Sequence, residues 1–145
     1  MNKIDIQNEM HAKQAFCNSN IINICNSVLQ NFSIDNSEIN IIISNDEHLR
    51  ELKKEFFNID MYTDVISFNL EDMGDPIEGE IYISWDRIND NAIHYKQSIN
   101  SELKRILIHG ILHLLGYKDK TAEEKSIMSS LEDKYLKINS QFELL

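Results

Sequence analysis

The longest apolar stretch of this chain, Leu103 to Leu115, carries two histidines along one side. Each residue of an α-helix is rotated by about 100° from the last, so His109 and His113 fall one turn apart. They share a seam with Glu102, Arg105 and Gly116, while Leu103, Ile106, Leu107, Ile108, Ile111, Leu112, Leu114 and Leu115 clothe the other sides. A helix patterned in this way has to be buried, with one narrow polar stripe. Two imidazoles at this spacing can bind one ion together, or they can be hydrogen-bonded core histidines. A third ligand requires the backbone to double back. Gly116 can take the left-handed conformation that ends a helix cheaply, and Tyr117 and Lys118 then carry the chain round to Asp119. Two neutral imidazoles and a carboxylate suit Zn²⁺, and three protein ligands with a fourth position open make a catalytic rather than a structural site. The carboxylate also widens the choice towards other, harder divalent ions.

These residues resemble a known signature. His109-Gly110-Ile111-Leu112-His113-Leu114-Leu115-Gly116-Tyr117-Lys118-Asp119 is similar to the H-G-x-L-H-L-x-G-Y-D-H motif of the YbeY-type endoribonucleases, the rRNA maturation factors. It departs at the last two places, where Lys118 stands for the family's Asp and Asp119 for its third metal-binding His. Upstream, Thr63-Asp64-Val65-Ile66-Ser67-Phe68 resembles the family's T-D/N-V-L-S-F strand, and Gly79-Glu80-Ile81-Tyr82-Ile83-Ser84 its G-D-I-x-I-S strand. A further departure is Phe57, six residues before Thr63, where the family usually carries an Arg. The resemblance implies a metal-dependent, single-strand-specific endoribonuclease acting in rRNA maturation, at the 3′ end of 16S rRNA and in ribosome quality control. It also implies one bound ion, an rRNA precursor as substrate and the ribosomal small subunit as partner.

A Zn²⁺ held by His109, His113 and Asp119 would lower the pKa of its water towards about 7 and polarise a phosphoryl oxygen. In zinc proteases the helix reads H-E-x-x-H, with the Glu as general base. Gly110 occupies that place and has no side chain for the task, which disfavours peptide hydrolysis; its smallness suits close approach of a strand or substrate backbone. Asp64, Glu80, Arg105 and Lys118 are candidates to touch substrate or brace the ligands. Asp64 can equally cap an element, and Glu80 can equally be an ordinary strand residue. A non-catalytic ribosome-associated factor with a structural metal, and another metal-dependent hydrolase, are the competing readings.

The 145 residues suit one domain, 1–145, with room for a core. A net charge of -10 argues against indiscriminate nucleic-acid binding, because non-specific affinity comes from Lys and Arg neutralising phosphates. The charge is uneven. Asp60 to Asp90 holds nine acidic residues against Arg87, whereas Ser101 to Lys125 holds four against Lys104, Arg105, Lys118, Lys120 and Lys125, which together can offer RNA a locally favourable surface or, each taken singly, be merely solvated. No DNA partner is expected. No apolar run approaches the roughly 20 residues that span a bilayer, and Met1 to Gln7 lacks the apolar core of a secretory signal, so a cytoplasmic protein without a membrane partner is expected. Cys17 and Cys25 read as reduced packing residues.

Periodicity predicts an edge strand at Ile4–Asn8, a helix over Ser19–Phe32, and a strand over Glu38–Ser44 with Ile39, Ile41 and Ile43 on one face. Ser44 and Glu47 read as a capping box opening a helix whose Leu49, Leu52 and Phe56 share a face. Strands at Val65–Asn69 and Glu80–Ser84 flank an acidic turn or mobile loop, Glu71 to Pro76. A helix over Trp85–Tyr95, the histidine helix, and a last helix opened by a Thr121/Glu124 capping box and ending near Lys137 complete the chain. The expected fold class is α+β: a single domain with a mixed sheet of about four strands packed against helices, the metal-site helix central. His11 and His94, lacking partners at ligand spacing, read as surface residues, and Trp85 and the six Phe as packing, no two of them forming an evident stacking platform.

Overall fold

The computed structural model describes residues 1–10 and 13–145, so the expectation for His11 lies outside the described residues. The elements are β1 (Asn2–Asn8), α1 (Asn18–Asn31), β2 (Ser37–Ser44), α2 (Asp46–Phe57), β3 (Val65–Asn69), β4 (Ile77–Ser84), α3 (Trp85–His94), α4 (Ile99–Leu114) and α5 (Ala122–Ile138). The four strands form one mixed sheet in the order β1-β2-β4-β3, with β1, β2 and β4 parallel and β3 antiparallel to β4. This is the single-domain α+β architecture expected, with the histidine helix α4 packed against β3, β4, α1, α3 and α5.

The strands owe their place to strict alternation. Ile39, Ile41 and Ile43 of β2 and Ile81 and Ile83 of β4 are fully buried in one cluster with Ile21, Ile24, Val28 and Leu29 of α1 and Leu103, Leu107 and Ile111 of α4. Each such side chain contributes roughly 1.5–3 kcal/mol on burial. Phe68 and Tyr82, on the other face, meet Phe56 and His48 of α2. The sheet therefore carries α4 on one face and α2 on the opposite one.

Gly110 explains how close α4 lies. A Cβ there would sit 2.8 Å from Ile81 Cγ2, and the Ser67 hydroxyl donates to the Gly110 carbonyl at 2.9 Å. Asn69 Nδ2 likewise donates to the Leu114 carbonyl at 2.9 Å, so β3 is clamped along the end of the helix that holds the histidines.

Several local expectations change. The helix after β2 is capped by Asn45, whose side chain accepts from the His48 N–H, and not by Ser44 with Glu47. The Ser44 hydroxyl is fully buried and bonded instead to Glu9 and His48, which removes it from capping. Of the α2 face only Leu49 is fully buried, whereas Phe56 is exposed. The 70–76 connection is a turn, closed by the Asp75 N–H on the Asp72 carbonyl and by the Glu71 carboxylate accepting from the Glu78 N–H. Lys104 is not solvated: it is buried, and its ammonium donates to the Asn139 and Ser140 carbonyls just past the end of α5. Phe57 and Phe68 stack with rings 6.0 Å apart and nearly parallel, with Phe56 edge-on to Phe68, so aromatic rings do gather where the sequence suggested none would. Trp85 packs on the core against Phe16, His94 is exposed, and both cysteines are free, Cys25 fully buried.

Candidate metal centre

Three sequence features place the donors. Ser98 caps α4 by accepting from the Ser101 N–H, which starts the helix so that its seam carries His109 and His113. At the other end, Gly116 takes φ +100°. Its N–H donates to the His113 carbonyl at 3.0 Å and the Tyr117 N–H to the Leu112 carbonyl at 3.1 Å, the paired bonds that close a helix with a left-handed glycine. The chain then reverses, and Asp119 comes back over the seam two residues before Thr121 opens α5.

The three side chains converge on one point. His109 Nε2 and His113 Nε2 are 2.9 Å apart, and Asp119 Oδ2 lies 3.2 Å from the first and 3.5 Å from the second. The other ring nitrogens are engaged. His109 Nδ1 is 2.6 Å from Glu132 Oε2, and His113 Nδ1 is 2.8 Å from the Tyr117 carbonyl. A carbonyl can only accept, so His113 carries its proton on Nδ1, and the Glu132 carboxylate assigns the same form to neutral His109. With both rings neutral, the two Nε2 atoms present lone pairs to one point, beside a carboxylate oxygen. This donor set fits a divalent cation, and these residues can hold one metal ion.

The electrostatics of the two rings differ. Burial pulls the His109 pKa down, but the hydrogen bond to Glu132 and the charges of Glu132, Asp119 and Asp64 outweigh it and hold the value above the ordinary histidine range. Burial pulls His113 down as well, and the neighbouring His109 pushes the same way, so this imidazole is easier to keep neutral despite Asp119.

The remaining candidates lie outside the donor triad. Arg105 lies one turn before His109 on the seam, but its guanidinium is committed to Glu102 and Glu132 and lies over the Tyr95 ring. Asp64 precedes β3 and accepts from Asn91 Nδ2 at 3.1 Å, while its carbonyl accepts from the Ser84 N–H. Glu80 alternates with Gly79 and Ile81, which face α4, and so lies on the opposite face of the sheet, beside Tyr82. Lys118 is exposed on the turn, near Glu124. Glu132 was missed altogether. A carboxylate between Met128 and Tyr135, on the buried face of α5 where an apolar residue belongs, is the signal that would have found it.

Fold and site together define an α+β protein with a three-donor cluster, at the end of a central helix, fit for one divalent ion. The family model for "Endoribonuclease YbeY" matches residues 3–140. The chain is 44% identical over 117 residues to the Endoribonuclease YbeY of Flavobacterium psychrophilum, covering 81% of this chain and 83% of that one. With the Endoribonuclease YbeY of Cytophaga hutchinsonii it shares 45% identity over 101 residues, covering 70% and 71%. The solution structure of TM1509 from Thermotoga maritima superposes with a TM-score of 0.66 at 26% identity, covering 96% of this chain and 89% of that one. The chain belongs to the Endoribonuclease YbeY family.

Proposed function

We propose that residues 1–145 act as one metal-dependent endoribonuclease domain that hydrolyses phosphodiesters of single-stranded RNA, with Zn²⁺ as its ion and an rRNA precursor as its substrate. Processing at the 3′ end of 16S rRNA, ribosome quality control, the ribosomal small subunit as partner and the cytoplasm as location belong to the same reading. Membership of the family supports it, since the relatives are named as endoribonucleases. Among the described residues no helix is long and apolar enough to cross a membrane.

The observation that carries the reading is the convergence of the two Nε2 atoms and Asp119 Oδ2 within 3.5 Å of one another. His109, His113 and Asp119 would hold the ion. When bound, it supplies Lewis-acid polarisation of a phosphoryl oxygen and acidifies water at neutral pH. The chain's own part is placement. Glu132 and the Tyr117 carbonyl keep the two ring protons on Nδ1, away from the donors. Gly110 brings β3 against the helix, and its missing side chain leaves no general base in the position zinc proteases use.

The test is cleavage of end-labelled single-stranded and duplex RNA by the full chain, before and after chelation, beside His113→Ala. Cleavage of the single strand that chelation and the substitution both abolish is the expected result. Cleavage indifferent to both sinks the reading. Asp119 and Phe57, which replace the family's usual His and Arg, make binding to small ribosomal subunits without cleavage the informative alternative, since that pattern marks a non-catalytic factor.

A further inference from the structure

Glu132 is 5% exposed and Glu102 1%, and a buried carboxylate is costly unless its oxygens are bonded. Glu132 Oε2 accepts from His109 Nδ1 at 2.6 Å, and its Oε1 accepts from Arg105 Nη1 at 3.3 Å. The same guanidinium donates through Nε and Nη2 to the two oxygens of Glu102, at 3.0 and 2.6 Å. Asn91 of α3 extends the chain, donating to Glu102 Oε2 at 3.2 Å and to Asp64 Oδ2 at 3.1 Å. Glu132 is thereby fixed from α4 and, through Glu102, from α3. One guanidinium serves two buried carboxylates, so the cluster retains a negative charge, and His109 is the group that faces it.

We infer that Glu132 is a positioning residue for the metal centre: it fixes the His109 ring and its Nδ1–H form so that Nε2 points at His113 and Asp119, and it adds the negative charge that favours a divalent cation there. A carboxylate that accepts from the far nitrogen of a ligand imidazole orients the ring and raises its basicity, and removing one typically lowers metal affinity about 10–100-fold. Glu132 stands 23 residues beyond His109, on another helix, so the centre joins α4 to α5 beyond the three donors themselves. The inference rests on reading those donors as a metal centre.

The experiment titrates the chelator-treated full chain with Zn²⁺ against a chromophoric competitor and with Co²⁺, whose visible absorption reports the ligand field. Wild type, His113→Ala, Glu132→Gln and Glu132→Ala are compared, and each metal-free protein is melted in parallel. Gln keeps the volume and an acceptor oxygen but not the charge. The cleft beside Glu132, lined by Tyr95, Ser101, Arg105 and Ser129, lets water take the space that Ala leaves. Expected are an affinity about 10-fold lower for Glu132→Gln and up to about 100-fold lower for Glu132→Ala, with altered Co²⁺ spectra, in proteins whose melts still show a folded state. Zn²⁺ affinity within twofold of wild type and an unchanged Co²⁺ spectrum in the Gln variant overturn the inference, and that variant decides if the Ala variant does not fold. Wild type that binds neither ion sinks the metal-centre reading instead, a failure distinct from the first.

Discussion

Asp119 places an oxygen donor where the family motif has a histidine, and it is the least supported of the three: among the described residues its carboxylate has no ion-pair partners but the two imidazoles. Removing it leaves two ligands on a helix, too few for a tight site. Asp119→Ala is expected to weaken Zn²⁺ binding at least 10-fold, whereas Asp119→His, restoring nitrogen, should favour Zn²⁺ over Mn²⁺ more strongly than wild type does. Competition titration of the two ions reads both, and undiminished Zn²⁺ affinity in the Ala variant would remove Asp119 from the centre. His109, His113 and Asp119 were legible because helical rotation and one glycine fix their relation within eleven consecutive residues. Glu132 and Lys104 were not. Each acts through a partner more than twenty residues away, Glu132 on His109 and Lys104 on the Asn139 carbonyl, and no local periodicity carries such a contact.

Two turns govern the elements around the site. Gly116 meets nothing within 4 Å of where a Cβ would be, yet its φ of +100° is poor for any L side chain. Gly116→Ala is therefore expected to cost roughly 1–2 kcal/mol through backbone conformation alone, and to lower metal affinity by misplacing Asp119. A urea titration paired with metal titration tests it; a fall in stability with metal affinity unchanged would show that the turn does not steer Asp119. The second turn opens α5, where the Thr121 side chain accepts from the Glu124 N–H and Glu124 reaches back to the Thr121 N–H. That backbone bond, with further help from the Thr121 hydroxyl and the Lys120 N–H, holds the Glu124 carboxyl below its ordinary range. A depressed carboxyl contributes stability that is fully present above its unfolded value, about 4.3, and lost as pH falls through the lower folded one. Wild type should lose stability faster than Glu124→Gln across that acid window in urea titrations; parallel curves would refute the cap's contribution. The Thr121/Glu124 box was readable from spacing, but Ser44 and Glu47 matched the same pattern falsely, because the buried bonds of Ser44 to Glu9 and His48 come from tertiary packing.

At the scale of the molecule, the four-stranded mixed sheet and its helices followed from alternating and helical patterns, while the distribution of surface charge did not. Lys104 and Arg105 are consumed by Asn139, Ser140, Glu102 and Glu132, which leaves Lys118, Lys120 and Lys125 as the exposed cations of that region. With only these three exposed cations in that region of an acidic chain, something besides phosphate contacts has to help hold RNA there. The half-exposed Phe57 ring, stacked on Phe68 of β3 and flanked by Lys53, offers a surface for an unpaired base. Stacking on an aromatic side chain is worth about 1–3 kcal/mol per base, so Phe57→Ala should weaken binding of single-stranded RNA by roughly 5–150-fold in a filter or anisotropy assay, and equal binding would exclude the ring from the RNA path. The turn between α4 and α5 has one more consequence. Asp119 lies between Lys118 and Lys120, both exposed, so a ligand arm is bracketed by two tryptic cleavage points. Trypsin should cut there within minutes in the presence of chelator and slowly once Zn²⁺ is added, the fragment pattern on a gel reporting occupancy without any RNA; digestion at the same pace in both conditions would mean that Asp119 never takes hold of an ion.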